Sequence, residues 1–400
     1  MGLAAPAGTA CGNLLEECYC RALDLLHENT TPAGILASRR TPAAASRRYT
    51  SIFGRDAAIC GLGMIASGNA ALIETARAGL LTLARCQAAN GQVPNFVEPE
   101  TGEADFWYTG CIDATLWWLI AIAFHDRSVP GRPLGKALEL PVRRALRWLA
   151  CQEHPQWRLL QQNEASDWAD IMPRSGFVLT TNSLWLWVKK LYALPAAETI
   201  DYANQLLAPF GPGLPDDRRV RLLGHYVRRQ ADHPPDLYLS FVNFSFWGGE
   251  IDLLGNVLAA LTGLAPSSRA ARMARAVLAF SEAAPFPLPA VARPIEPGSP
   301  LWRRYMERHR QNYPHQYQNG GIWPFIGGFW VLLLNRLGMA DQAWREMERV
   351  AAANRAGGWQ FNEWLHGRTG APMGMAGQSW NAALFLLAFH ALCDGTRFTP

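Results

Sequence analysis

The chain has 400 residues, 49% of them apolar and 18% charged, with a formal net charge of +4. That hydrophobicity excludes intrinsic disorder, and the low charge content excludes an extended coiled coil. Lys and Arg are scattered on the polar sides of apparent helices, as at Arg143-Arg144 and Arg269 to Arg275, so no nucleic-acid-binding face is expected.

In chain order, a helical period of apolar residues predicts helices over 13–27, 56–66, 70–88, 112–125, 137–152, 180–192, 195–207, 216–230, 249–263, 267–284, 326–337, 340–355 and 377–392. Alternating Val, Ile and Thr runs are few, so strand signals are poor. Two kinds of connection join the helices. Some are short and plain, as at Ser67-Gly68-Asn69 and Gly338-Met339. Others are long and rich in Trp, Gly, Asp and Asn: 89–111, 153–179, 232–248, 309–325 and 357–376. The rich loops recur after about every second helix. A ring of helical hairpins produces that rhythm and gathers the loops at one end, where a rigid scaffold can present them. The expectation is an all-α chain forming one (α/α)6 toroid over 1–400, its motif-bearing part running from about 47 to 393. The Pro-rich stretch from Ala284 to Pro300 reads as an internal excursion. An α-solenoid would show a regular repeat, and none is visible.

The 16 Trp, 10 Tyr and 17 Phe include many in Gly-rich loops, where aromatic faces suit a ring-shaped ligand. Eight Cys form no C-x-x-C pair, which argues against structural zinc. Most fall in apolar helical stretches and read as reduced, buried thiols of a reducing compartment. Met1 to Ala10 lacks the basic start and apolar core of a signal peptide. The longest apolar run, Leu116 to Phe124, is too short to span a bilayer. A cytoplasmic protein with no membrane partner is expected. Oligomeric state is not legible, although a surface apolar patch would make a homo-oligomer.

Four stretches carry the chemistry. Tyr49 to Asp56 reads YTSIFGRD; Arg55 and Asp56 form either a helix cap with a solvated Arg or a pair that donates to and accepts from vicinal hydroxyls. Gln162 to Gly176 reads QNEASDWADIMPRSG; Glu164, Asp167 and Asp170 crowd Trp168, and like charge, an aromatic wall and desolvation all raise a carboxyl pKa toward that of a general acid. Tyr317 to Pro324 reads YQNGGIWP, where Gly320-Gly321 admits close backbone approach and Trp323 offers a flat face. Gly357 to Trp380 places Glu363 between Asn362 and Trp364, as a general base or as a partner of Arg368. Phe106 to Trp118 and Phe241 to Asn256 add the acidic residues Asp113, Glu250 and Asp252. Two carboxyl-bearing loops facing each other across a toroid satisfy glycoside hydrolysis, which needs one acid and one base or nucleophile.

These motifs resemble the six-hairpin glycosidases. FGRD is similar to the equivalent stretch in the glucosidase domain of glycogen debranching enzymes, and the Arg-Asp pair to that of glucoamylases. The resemblance implies that Arg55 and Asp56 bind hydroxyls of the sugar being cleaved. DWADIMPR resembles the general-acid stretch of trehalases and related glucosidases. It assigns the acid to Asp170, with Arg174 four residues on and Asp167 as the rival. NGGIWP resembles a segment of debranching enzymes and neutral/alkaline invertases. NEWLHGRTGAPMGMAGQSWNAA resembles the segment that carries their base, here Glu363. The resemblance extends from about residue 47 to 393 and implies an exo-acting, inverting α-glucosidase. Asp170 and Glu363 are its catalytic pair. Arg55, Asp56, Asp113, Trp168, Arg174, Asn319, Trp323, Trp364, Gln378 and Trp380 are its substrate-binding residues. The partner is a small carbohydrate. No cofactor or metal is expected, since the His residues are scattered. Inversion implies carboxyls roughly 6.5–9.5 Å apart, retention roughly 5–5.5 Å. The acid motif is not that of neutral/alkaline invertases. Sucrose cleavage, a His-dependent sugar 2-epimerase using His315, His366 or His390, phosphorolysis and a non-catalytic sugar-binding module are the alternatives.

Overall fold

The protein's structure, a computed structural model, describes residues 13–210, 217–229, 233–243, 246–396 and 398. Met1 to Ala10 and Cys11, read above for targeting and redox state, lie outside the described residues, as do both ends of the helix expected at 216–230.

The helices are α1 (Leu14–Glu28), α2 (Pro42–Ser46), α3 (Gly54–Ala66), α4 (Ala70–Arg85), α5 (Ile112–Ser128), α6 (Leu134–Ala137), α7 (Glu139–Gln152), α8 (Leu179–Leu191), α9 (Ala197–Leu206), α10 (Arg218–Arg229), α11 (Leu253–Thr262), α12 (Ser267–Ala283), α13 (Pro324–Arg336), α14 (Ala340–Trp359) and α15 (Ser379–Cys393). Six of them, α3, α5, α8, α11, α13 and α15, are apolar almost all the way round. A helix of that kind has to be enclosed by protein. All ten residues of α11 are buried, as is α13 from Pro324 to Leu334. These six pack in sequence order, and α15 returns to α3, so the inner ring closes. The helices between them are amphipathic and lie outside. On α4, Leu72, Ala76, Leu80 and Leu83 form a buried stripe; on α12, Ala270, Met273, Ala274 and Val277 do so. The (α/α)6 architecture is the one expected.

Close approach within the ring is sequence-encoded. A methyl group at Gly63 of α3 would overlap the backbone carbonyl of Ala383 on α15, so those two helices meet only because residue 63 has no side chain.

Each rich loop leads into an inner helix: 89–111 into α5, 153–179 into α8, 232–248 toward α11, 309–325 into α13 and 357–376 into α15. The plain turns join inner helices back to outer ones, and Asn69 in the first of them caps α4 by accepting from Ala71 and Leu72 N–H. The rich loops and the inner helix N-termini therefore share one end of the ring, and the plain turns the other.

The rich loops are pinned by short ladders that the sequence did not announce. Their strands are β1 (Thr30–Thr31), β2 (Gly34–Ile35), β3 (Ile52–Phe53), β4 (Phe96–Val97), β5 (Ala104–Asp105), β6 (Phe177–Val178), β7 (Phe241–Asn243), β8 (Phe246–Trp247), β9 (Trp364–Leu365) and β10 (Pro372–Met373). They pair antiparallel as β1-β2, β3-β4-β5, β6-β7-β8 and β9-β10. The Pro-rich excursion is held between loops, with Leu253 N–H donating to Ala290 O and Ala290 N–H to Gly321 O.

Boundaries differ where a local event intervenes. The helix expected at 249 begins at Leu253 because Ile251 is left-handed (φ 60°). The expected helix 137–152 is divided, since Asp126 caps Leu134 and Gly135 and starts α6 early. Inside α14 the dihedrals leave the helical region at Ala356, Gly357 and Gly358, close to the expected end at 355. All described cysteines are free. Cys18, Cys60 and Cys111 are buried as expected, whereas Cys20, Cys151 and Cys393 are exposed. Among the described residues no helix is long and apolar enough to cross a membrane.

Candidate active site

At the loop end the ring opens into a cavity of about 360 Å³. Its floor comes from inner-helix N-termini. Arg55 and Asp56 occupy the first turn of α3. The Arg55 guanidinium reaches Asp56 through Nε at 3.4 Å and Asp113, in the first turn of α5, through Nη1 at 3.2 Å. It also lies 6.0 Å over the ring of Trp380. Burial opposes its charge, but Asp113, Asp56 and Asp170 outweigh burial and raise its pKa. Burial pushes both aspartates the other way, against Arg55; Asp113 is raised to about 6. Asp113 holds Arg55 from behind, while Asp56 lines the cavity, its Oδ1 buried without a hydrogen-bond partner.

The loop before α8 carries three carboxylates, and the structure separates their roles. Glu164 turns away to Arg303 (Nη2 at 2.9 Å) and the Tyr305 hydroxyl (2.8 Å). Asp167 is buried and accepts from the Ala169 N–H at 2.7 Å and Gln162 Nε2 at 2.9 Å. Asp170 alone of the three lines the cavity. Gln318 fixes it. The Gln318 Nε2 donates to Asp170 Oδ1 (2.8 Å) and Trp168 O (2.7 Å), and its Oε1 accepts from Ile171 N–H (3.1 Å). Burial raises the Asp170 pKa, against the Gln318 hydrogen bond and the charge of Arg55.

Glu363 stands in the loop before α15. The Tyr49 hydroxyl donates to its Oε1 at 2.6 Å, and the Met375 N–H donates to Oε2 at 3.1 Å. Its own N–H donates to Met375 O at 2.8 Å. Gly374 permits this clasp: its φ is +73°, and a Cβ there would stand 2.5 Å from Glu363 Oε2. Burial, against these donors, pushes the Glu363 carboxyl up to about 7. Arg368 takes no part.

Trp168, Trp323 and Trp380 form the walls, with Trp323 edge-on to the other two at 5.6 and 5.7 Å. Phe325 stacks behind Trp380 at 4.1 Å. The indole nitrogens of Trp168 and Trp380 and both amide atoms of Gln378 are buried without a protein hydrogen-bond partner. A surface of aromatic faces and unused donors and acceptors matches a polyhydroxylated ring. Among the described residues no group of three or more His, Cys, Asp or Glu is placed to hold a metal ion.

Residues 241–394 match the family model described as alkaline and neutral invertase. No curated protein matches the chain. Among solved structures, a mannosylglycerate hydrolase from Thermus thermophilus superposes with a TM-score of 0.64 at 17% identity, covering 92% of this chain and 99% of its own. A bacterial glucoamylase complexed with acarbose gives 0.63 at 13% identity, covering 96% and 57% respectively. A wild-type glycosidase gives 0.62 at 14% identity, over 98% and 100%. The chain has the six-hairpin glycosidase fold.

Within this six-hairpin fold the structure brings together Arg55, Asp56, Trp168, Asp170, Trp323, Glu363, Gln378 and Trp380 on one cavity. Four expected binding residues lie off its wall. Asp113 backs Arg55. Arg174 is buried behind Trp168 and pairs with Asp252 (3.0 Å) and Glu250 (3.6 Å). Asn319 spends its amide on backbone, accepting from Ile295 N–H and donating to the carbonyls of Ile295 and Asn312. Trp364 packs edge-on behind Tyr317. Conversely, Tyr49, Tyr317, Trp107, Arg47, Arg48 and Arg308 line the cavity without having stood out in the sequence. Tyr49 and Tyr317 open two of the motifs quoted above, and Trp107 stands in a third. That signal was present, whereas the arginines had none.

Proposed function

We propose that this chain is an exo-acting glycoside hydrolase that cleaves an α-glucosidic bond with inversion. One observation carries the reading: two carboxyls with raised pKa values, Asp170 and Glu363, come from loops far apart in sequence and line the same cavity. In this reading Asp170 gives its proton to the glycosidic oxygen. With Gln318 donating to Oδ1, the proton resides on Oδ2, free to point at the substrate. Glu363 removes a proton from the attacking water, and the Tyr49 and Met375 donors keep its carboxylate available. Arg55, Asp56 and Gln378 hold ring hydroxyls, and the Trp walls pack on the ring faces. The floor of closed inner helices blocks passage of a chain through the ring, which supports attack on a terminal sugar.

The test is a panel of α-glucosides with the anomer of the released sugar followed by NMR. Release of β-glucose supports the reading; release of α-glucose overturns inversion. The family match over 241–394 favours a second reading, sucrose as substrate, and fructose release from sucrose within the same panel distinguishes it. The solved neighbours named above leave glucosides and mannosides both to be tested.

A further inference from the structure

Helix α10 carries a charge pattern that the sugar cavity does not use. It reads RRVRLLGHYVRR, with five arginines and no carboxylate. Val220, Gly224 and Val227 form its buried stripe, and all five arginines are exposed. Arg218 and Arg229, at opposite ends of the helix, fall on the same side of it. Among the described residues no carboxylate pairs with Arg218, Arg219, Arg228 or Arg229. Arg228 Nε donates to Gly224 O at 2.9 Å, and Arg229 Nη1 stands 3.4 Å from His225 Nε2. Elsewhere on the surface arginines meet carboxylates, as Arg272 does Asp236 and Arg158 does Glu198. A dense patch of one sign repels itself unless a partner of the other sign covers it.

Two large apolar side chains stand among these cations. Leu222 and Tyr226, one turn apart, are 44% and 55% exposed. They lead into a cavity of about 520 Å³ between α10 and the loops before α8 and α11. Its walls include Trp157, Phe177, Leu206, Tyr226 and Trp247. Arg219 lies at its α10 side, and among the described residues no carboxylate lines it. It shares no residue with the sugar cavity.

A partner for this face has to answer positive charge and open apolar surface together. A nucleic acid answers the charge and leaves Leu222, Tyr226 and the cavity wet. A neutral sugar leaves the arginines unanswered. An anionic bilayer surface supplies both, with phosphates for the guanidiniums and acyl chains for the apolar side chains. Basic clusters on amphipathic helices have this preference, and Tyr suits the boundary between water and hydrocarbon. Such a contact needs no spanning segment, and among the described residues no helix is long and apolar enough to be one.

We propose that α10 is a peripheral docking face for an anionic lipid surface. Arg218, Arg219 and Arg229 hold headgroup phosphates, Leu222 and Tyr226 enter the interface, and an acyl chain enters the adjoining cavity. The contact is independent of the reaction at Asp170 and Glu363.

The test is flotation of the full chain with vesicles of phosphatidylcholine, alone or mixed with phosphatidylglycerol. The expected result is binding to the mixed vesicles only, weakening as salt is added. Each arginine near an anionic surface strengthens binding about fivefold, so Arg218→Gln/Arg229→Gln should bind about twenty-five-fold more weakly. Arg143→Gln/Arg144→Gln, the same charge loss at exposed positions of α7, should bind as the wild type does. Phosphatidylglycerol with brominated acyl chains should quench the tryptophan emission of the wild type more than that of Trp247→Phe, which reports a chain in the cavity. Unchanged thermal unfolding certifies each variant as folded. Equal binding to both kinds of vesicle, an equal loss in the α7 variant, or equal quenching overturns the proposal. Binding of double-stranded DNA or polyglutamate through the same arginines, with none to the mixed vesicles, overturns it in favour of a nucleic acid or an acidic protein segment. No binding to any of these also overturns it and leaves the hydrolase reading standing.

Discussion

Replacing Tyr49 by Phe removes one hydroxyl and leaves the ring against Phe53. The hydroxyl donates to a buried carboxylate at 2.6 Å, and a hydrogen bond to a charged group is worth about 1.5–3 kcal/mol. At 1.36 kcal/mol per pKa unit, its loss raises the Glu363 pKa by about one to two units, from about 7. The direction follows from the donor's preference for the ionised form, which is the form a base must have. The acidic limb of the kcat/KM profile for a hydrolysed α-glucoside should therefore move up by that amount. At acidic pH the variant should lose about ten- to a hundredfold in rate. The assay is a pH series on wild type and Tyr49→Phe with one substrate. A limb that stays in place, or moves down, would refute the assignment of Glu363 as the titrating base.

Asp170→Asn should lower kcat by about 10²–10⁴-fold on ordinary glucosides and much less on α-glucosyl fluoride. Asp167→Asn should instead lower the unfolding midpoint, since Asp167 ties Gln162 to Ala169. Glu363→Gln should stabilise the protein in mild alkali. The folded pKa of about 7 lies above the ordinary 4.5, so this group's contribution is fully present below that ordinary value and is lost as pH rises through the folded one. The difference opens between the two pKa values and is complete above pH 7, where the ionised side chain costs roughly 3 kcal/mol, so melting curves of the two proteins should coincide near pH 4 and lie furthest apart above pH 7. Arg174→Ala should cost about 3–5 kcal/mol in urea unfolding, because Asp252 and Glu250 remain buried and unpaired. Unchanged stability with a raised KM would return Arg174 to the substrate.

The ring was legible because its two helix types differ in composition. A stripe on α4 or α12 reads as an outer helix, and unbroken apolar runs such as that of α13 read as inner ones. The site was legible as loops but less so as surfaces. Trp168, Trp323 and Trp364 all stand in the long polar loops, yet two face the cavity and one stands behind Tyr317. Their directions depend on left-handed backbone at Ala165, Tyr317 and Phe361, which no residue type there announces. Arg174 and Asn319 look functional for the same reason that they are structural: both are polar groups in a buried frame, and a buried polar group must find a partner. Of the arginines that line the cavity, Arg47 follows the end of α2 and Arg308 lies in the 303–312 segment, stretches that showed no helical period.

The closure of α15 onto α3 also fixes an order of events. Gln378 and Trp380 open α15, whereas Arg55 and Asp56 open α3, more than three hundred residues earlier. The loop bearing Glu363 is clasped by Tyr49, from the same early region. The cavity floor therefore exists only once the last helix of the ring has docked against the first. Contacts so distant in the chain form slowly, since the entropy of closing the loop must be met before they contribute. A partly folded or partly synthesised chain holds no half-formed sugar site, and the appearance of activity during refolding should coincide with completion of the ring.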